Sequence, residues 1–383
     1  MARALYIHWP FCLKKCPYCD FNSHVRAGVD HDLWREALLA DLRHEAEVAG
    51  GEPLDSVFFG GGTPSLMPPE IVAALLAEAE RLWGFAPGIE ITLEANPSSV
   101  EAARFAALAD AGVNRVSLGL QALDDEALRF LGRLHDVGEG LAALDVAQRH
   151  FGRVSFDLIY ARPGHDAVTW EAELRRALGF GTGHLSLYQL TIEAGTRFAT
   201  MVREKQFTPL DDDTAADLFT LTRQITAAHG LPAYEISNHA KPGERSRHNL
   251  TYWQYRDYSG IGPGAHGRRN GIATVRHRKP ENWLESIAEN GHGIVEHRTL
   301  GTREQPAEAM LMGLRLTEGI DLGAMADRFG LAADALCDPD RLAFYESMGL
   351  AWRRGTRIGV TEAGMGLLDG LLGELVPAAL VAS

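Results

Sequence analysis

Cysteine is scarce: four residues in 383. That is too few for a disulfide framework and fits a reducing compartment. Positive charge is in deficit, with 37 Lys and Arg against 51 Asp and Glu and a formal net charge of −14. A diffuse negative field repels a phosphate backbone, so no nucleic-acid partner is expected. No apolar run approaches the roughly 18 residues that a membrane span needs, so no integral membrane segment is expected. The N-terminus lacks the charged, apolar and small-residue regions of a signal peptide, since Trp9-Pro10 follows at once. The expected location is therefore cytoplasmic. Low-complexity segments and internal repeats are also missing, beyond a βα period. What is present is an ordinary globular composition, 46% apolar and 23% charged, which excludes a disordered or fibrous chain. At about 150 residues per domain, the length fits two or three domains.

Short β-rich runs alternate with helical patterns. Strands are expected at residues 5–8, 56–59, 90–93, 115–118, 154–159, 185–189 and, less sharply, 233–236. Between the first two, Leu33, Ala37, Leu38, Leu42 and Ala46 recur at helical spacing. Asp30 can cap that helix and Gly50-Gly51 can stop it. Six or seven such alternations predict a parallel sheet in an α/β fold. An open, partial (β/α) TIM-like barrel is the first choice and a doubly wound sheet the second. Residues 1–238 would form this barrel. Residues 239–304 are rich in Arg, His, Tyr, Gly and Trp with little apolar periodicity, and read as a connecting segment. Residues 305–383 resume a helical pattern and end in a helix plus a hairpin around Arg354-Gly355. They predict a small helical, winged-helix-like domain. It carries no basic stripe, so DNA binding is not expected of it.

Three of the four cysteines, Cys12, Cys16 and Cys19, fall within eight residues in the loop after the first strand. In a β/α barrel that is the C-terminal face, where active sites are built. Three close thiolates suit a soft metal or an iron–sulfur cluster. A structural zinc site wants a fourth ligand, which His8 or His24 would have to supply. The plain alternative is three unrelated packed thiols. Cys337 has no local partner and reads as a small apolar side chain. Gly60-Gly61-Gly62-Thr63-Pro64 follows the second strand, a turn that permits close backbone approach to a ligand. Glu94, Gln121 and Asp157 stand at or near the ends of successive strands, the position of site residues on this architecture.

The C-x-x-x-C-x-x-C segment resembles the signature of the radical S-adenosylmethionine (SAM) superfamily. The resemblance implies a [4Fe–4S] cluster held by Cys12, Cys16 and Cys19. One iron is left open for SAM, and an electron from the cluster then yields a 5′-deoxyadenosyl radical. Most of the chain resembles the coproporphyrinogen-dehydrogenase branch of that superfamily. On that likeness Tyr6, Gly61, Gly62, Thr63, Glu94, Gln121, Arg133 and Asp157 would contact SAM, and Tyr18 is counted with the cofactor-binding residues. Without the likeness Arg133 reads as an ordinary surface arginine.

The sequence departs from the dehydrogenase in two ways. Phe21 stands where that enzyme has a further cysteine, and no N-terminal arm is expected ahead of the first strand. Residues 248–253, His248-Asn249-Leu250-Thr251-Tyr252-Trp253, resemble instead the H-N-x-x-Y-W signature of the HemW heme-chaperone subfamily. The resemblance implies heme bound through His248, Asn249, Tyr252 and Trp253, with an imidazole for iron and aromatic faces for the macrocycle. Read alone, the same residues are a satisfied core histidine and two core aromatics. His266 and His277 are weaker ligand candidates. Three functions are in view. The first is a carrier that binds heme and delivers it to heme-dependent proteins such as respiratory cytochromes, touching membrane-bound acceptors peripherally. The second is an oxygen-independent coproporphyrinogen III dehydrogenase. The third is a scaffold that no longer binds SAM.

Overall fold

A computed structural model describes residues 4–26, 28–50 and 52–381. Six strands, β1 (Ala4–Trp9), β2 (Leu54–Gly61), β3 (Phe85–Ala95), β4 (Arg115–Gln121), β5 (Arg153–Tyr160) and β6 (His184–Gln189), pair in parallel in chain order. Each falls on a run expected from the sequence. The seventh expectation, 233–236, is a turn. There the Tyr234 N–H donates to the Asn238 carbonyl at 3.0 Å and the Ile236 N–H to the Glu235 carboxylate at 2.6 Å. The chain reverses, and β7 (Asn238–Ala240) runs antiparallel to β6 instead.

The connecting segment continues the same sheet. β8 (Tyr258–Ile261) lies parallel to β1, and β9 (His266–Arg269), β10 (Ile272–Arg276) and β11 (Ile294–Thr299) follow antiparallel. The strand order is β11-β10-β9-β8-β1-β2-β3-β4-β5-β6-β7, and among the described residues the two edge strands do not pair. The result is an open barrel. Strand alternation sorts its two faces. Leu5, Ile7 and Trp9 pack outward with Trp34 and Leu38 in the main core, while Tyr6 stacks on Phe58 in the lumen.

The helix expected after β1 is α1 (His31–Ala49). Asp30 caps it by accepting the Leu33 N–H at 3.1 Å, and Gly50 ends it at φ 63°. Gly51, the other half of the expected stop, lies outside the described residues. Asp41 and Glu45 of α1 are fully buried. Arg276 of β10 donates to both, at 2.7 and 2.9 Å, and Arg269 of β9 donates to Glu45 at 2.7 Å. Asp41 further accepts the backbone N–H groups of Gly262 and Gly293 and the Trp283 indole N–H. This network fixes one face of β9 and β10 on α1. It explains how strands so rich in arginine join the sheet.

Two further helices flank the antiparallel strands in the chain, α2 (Arg247–Trp253), which carries the H-N-x-x-Y-W run, and α3 (Glu304–Gly313). The tail has its own apolar cluster, with Leu336, Cys337, Leu342, Ile358 and Leu371 buried. Its small sheet comprises β12 (Ile320–Asp321), β13 (Ala351–Arg354) and β14 (Arg357–Val360). The helix Pro339–Ser347 precedes the hairpin, as the sequence predicts. Among the described residues no helix is long and apolar enough to cross a membrane.

Candidate functional site

The thiol loop is pinned at both ends. Phe11 and Cys12 pair in parallel with His24 and Val25, and the His24 N–H donates to the Pro10 carbonyl at 2.7 Å. Within it the Cys19 N–H turns back onto the Cys16 carbonyl at 3.2 Å. Cys12, Cys16 and Cys19 are free and half-buried. All three line one cavity at the C-terminal mouth of the barrel, together with Tyr18, Gly61, Gly62, Thr63, Glu94, Gln121, Arg133 and Asp157. Tyr6 does not line it. It lies in the lumen, its hydroxyl 3.0 Å from His8 Nδ1.

Each element brings its residue for a local reason. Gly61 has φ 115°, and a Cβ there would meet the His8 ring at 2.7 Å. Glycine is thus required at this turn by its own protein neighbours, whatever ligand the loop also approaches. Thr63 donates to Cys12 Sγ at 3.4 Å, and Arg133 donates to Cys16 Sγ at 3.4 Å. Arg133 is no ordinary surface residue. It leaves a turn after a short helix and also donates to Asn96 Oδ1 at 2.6 Å and the Gly119 carbonyl at 2.9 Å. Its Nε is buried without a partner. Gln121 holds a left-handed φ of 69°, where the β4–β5 register shifts. Non-glycine residues in that region concentrate at functional sites.

Sequence reasoning missed Asn96, Ser117 and Gly119. Asn96 bridges Thr63 (3.1 Å) to Arg133, and Ser117 donates to Asp157 at 3.2 Å. A Cβ on Gly119 would stand 2.8 Å from Gln121 Nε2. The signal was present in the alternation. Ser117, Gly119 and Gln121 share a strand face, and Asn96 follows Glu94 by two.

The donor set suits an iron–sulfur cluster. Hydrogen bonds to sulfur tune such clusters, and Thr63 and Arg133 supply them here. Burial pushes the Cys12 and Cys19 thiols up, so bare thiolates are disfavoured until a metal compensates them. Among the described residues no three His, Cys, Asp or Glu side chains converge as a single metal ion needs. The three thiols ring the cavity without meeting at one point.

The lumen carboxyls are strongly perturbed. Burial, then the neighbouring Asp157, pushes Glu94 up to about 8, and burial pushes Asp157 up to about 6. The folded protein therefore keeps on Glu94 a proton that the unfolded chain, with a carboxyl near 4.5, has released. Protons bound in excess by the folded state make stability fall as pH rises, here until the pH passes about 8. Urea midpoints of the ligand-free protein between about pH 5 and pH 9 should decline, and Glu94→Gln should decline less. Parallel curves for the two proteins would refute the assignment.

The H-N-x-x-Y-W run lies elsewhere. His248 is 2% exposed, its Nδ1 3.3 Å from Ser56 Oγ and its Nε2 2.9 Å from the Tyr252 hydroxyl. Its ring stacks on Phe58 at 4.7 Å, and burial pushes it down to about 3. The N–H groups of Arg247 and His248 donate to Glu90, and Asn249 N–H to Ser246 Oγ. α2 thus plugs the N-terminal end of the lumen. Ser56 and Gly61 are five steps apart along β2, roughly 16 Å at the rise of a strand. The structure therefore does not bring His248 together with the thiol cavity. Asn249, Tyr252 and Trp253 are partly buried.

Residues 6–177, which hold the whole thiol cavity, match the Radical SAM superfamily, and residues 301–367 match the HemN C-terminal domain. The chain is a radical SAM protein on an open α/β barrel with a HemN-type tail. It is 38% identical to the heme chaperone HemW of Escherichia coli, over 87% of this chain and 88% of that one. It is 32% identical to HemW of Bacillus subtilis, over 97% and 100%. It is 41% identical to mouse mitochondrial radical S-adenosyl methionine domain-containing protein 1, over 83% and 74%. The structure of coproporphyrinogen III oxidase (HemN) from Escherichia coli superposes with a TM-score of 0.83 at 21% identity, covering 97% of this chain and 89% of that one. The chain belongs to the HemW family of radical SAM proteins.

Proposed function

We propose that this protein carries heme and hands it to heme-dependent acceptors, with a [4Fe–4S] cluster and SAM as resident cofactors. The observation that carries the reading is the 32–38% identity to curated heme chaperones over nearly their full length. Cys12, Cys16 and Cys19 would hold the cluster. Gly61, Gly62, Thr63, Glu94, Gln121 and Asp157 would surround SAM, with Tyr18 beside the thiols and Tyr6 beneath. When bound, these groups supply one-electron chemistry. Thr63 and Arg133 would hold the sulfurs by donating to them, and Glu94, protonated in the ligand-free protein, would ionise beside Asp157 when a cationic ligand enters. Respiratory cytochromes, reached peripherally at a membrane, are the acceptors in this reading, and the cytoplasm is its setting.

The fold shared with coproporphyrinogen III oxidase keeps a second reading in play, a radical decarboxylase of porphyrinogens. Phe21 argues against it. It is 61% exposed on the rim of the cavity, where that enzyme is expected to place a cysteine. One anaerobic experiment separates the two. The cluster-loaded protein is offered heme and, in parallel, coproporphyrinogen III with SAM and a reductant. A shifted Soret band and no protoporphyrinogen are expected. Steady protoporphyrinogen formation would transfer the protein to the enzymes.

A further inference from the structure

The two faces of the antiparallel extension are used differently. One face of β9 and β10 is bound to α1 through Arg269 and Arg276. On the other face Tyr258 pairs with Arg268, Arg268 with Ala273, His266 with Val275, and Ala273 with Arg298. Directly paired residues share a side of the sheet. With α2 and α3 this side encloses a cleft of about 640 Å3, within the roughly 300–1,000 Å3 typical of small-molecule sites.

The cleft sets three arginines, Arg268, Arg298 and Arg315, against two glutamates, Glu296 and Glu308, around an aromatic and aliphatic wall, a lining that suits a flat, largely apolar ligand with acidic groups. Trp253 and Tyr258 offer aromatic faces, and Met312 adds a soft apolar wall. Arg268 is 8% exposed; its guanidinium lies over the Tyr255 ring and donates to the Arg256 carbonyl at 3.0 Å, which leaves Nε buried and unpartnered, and Arg298 stands half-open at the edge, paired with Glu304. His266 is exposed, and its ring makes no hydrogen bond among the described residues. Partial burial and the nearby Arg278 push its imidazole down, while Glu296 opposes them. His248 differs on each count: both its ring nitrogens are engaged, and reaching iron would break those bonds and unseat α2. Two other clefts are of similar size. The one between barrel and tail holds no histidine, and in the other His165 is held by Arg162 and Glu173.

We propose that this cleft is the heme site, with His266 ligating iron, Trp253 and Tyr258 flanking the macrocycle, and Arg268 and Arg298 receiving the propionates. The proposal rests on reading the chain as a heme carrier. It also gives the H-N-x-x-Y-W run two duties: His248 and Tyr252 anchor α2 in the lumen, and Trp253 at its end faces the cargo. The 263–266 turn is tied to the thiol loop, since the Asn22 side-chain amide donates to the Pro263 and Arg278 carbonyls at 2.9 Å each.

The test is a heme titration of the full chain, read by the Soret band, with metal-free protoporphyrin IX as a second probe read by fluorescence. Wild type should give a ligated Soret spectrum. His266→Ala should lose that spectrum yet still bind the metal-free porphyrin, which shows the cleft intact. Arg298→Ala should weaken both ligands about tenfold, the size of a charged hydrogen bond. His248→Gln should keep the wild-type Soret position. A wild-type spectrum in His266→Ala, or its loss in a folded His248→Gln, overturns the cleft and leaves the carrier reading standing. No Soret shift in wild type removes the carrier reading, and the cleft falls with it.

Discussion

Cys12→Ser, Cys16→Ser and Cys19→Ser are each expected to abolish the cluster, while Cys337→Ser keeps it in full. After anaerobic reconstitution the readouts are iron, acid-labile sulfide and the visible absorption band. The three loop thiols share one cavity, and each would serve a different iron, so none can cover for another. Serine offers a harder oxygen ligand in place of a soft thiolate, a poor exchange for iron–sulfur chemistry. Cys337 is 2% exposed inside the tail's apolar cluster, and burial pushes its thiol up to about 11. It is an inert packing group. Equal loss of iron in Cys337→Ser and Cys16→Ser would sink the assignment. Arg133→Met is the informative companion, since it removes a donor to Cys16 without touching a ligand.

The second large effect is on stability. Asp41→Ala should destabilise the folded chain by about 3–5 kcal/mol, the cost of leaving one partner of a buried ion pair uncompensated. Arg276 is fully buried and would keep only Glu45, while the Gly262 and Gly293 N–H groups and the Trp283 indole lose their acceptor. Urea unfolding of the full chain gives the measurement. Exposed pairs provide the contrast. Arg149–Asp145 has both side chains more than 60% open, and Asp145→Ala should change little. A midpoint for Asp41→Ala within error of wild type would show that the network is not what holds β9 and β10 to α1.

How much of this was legible in the sequence differs by element. The thiols are legible because their spacing alone joins three of them in one loop. The parallel strands are legible because their outward faces are continuous apolar runs against helices. Arg133 needs a family likeness. A lone arginine says nothing of where its long side chain reaches, and only the fold shows it on Cys16 and Asn96. His248 and Tyr252 are four apart, which puts them on one helix face, but spacing cannot say whether that face meets solvent or a lumen. Residues 258–299 are the opaque part. Their strands bury arginines whose compensating charges, Asp41 and Glu45, lie more than two hundred residues earlier, so no local window shows the pairing. The same applies to 233–236, where a β-rich composition loses to the turn made by Tyr234 and Asn238.

That distance also orders events during synthesis. Asp41 is made 235 residues before Arg276. At about 5–20 residues per second on the ribosome, the interval is roughly 10–50 seconds. Throughout it, α1 carries two carboxylates destined for a dry interior, with no cation yet made to meet them. α1 can lay its Trp34 and Leu38 stripe against β1 in that time, but its acidic flank must stay hydrated. Completion of the barrel wall is thus held back until the arginine strands emerge, and a nascent chain halted near residue 240 exposes the open side of β1 as an unpaired edge. Such an edge is a template for wrong pairing. The edge left open for longest is the strand that ends beside the thiols.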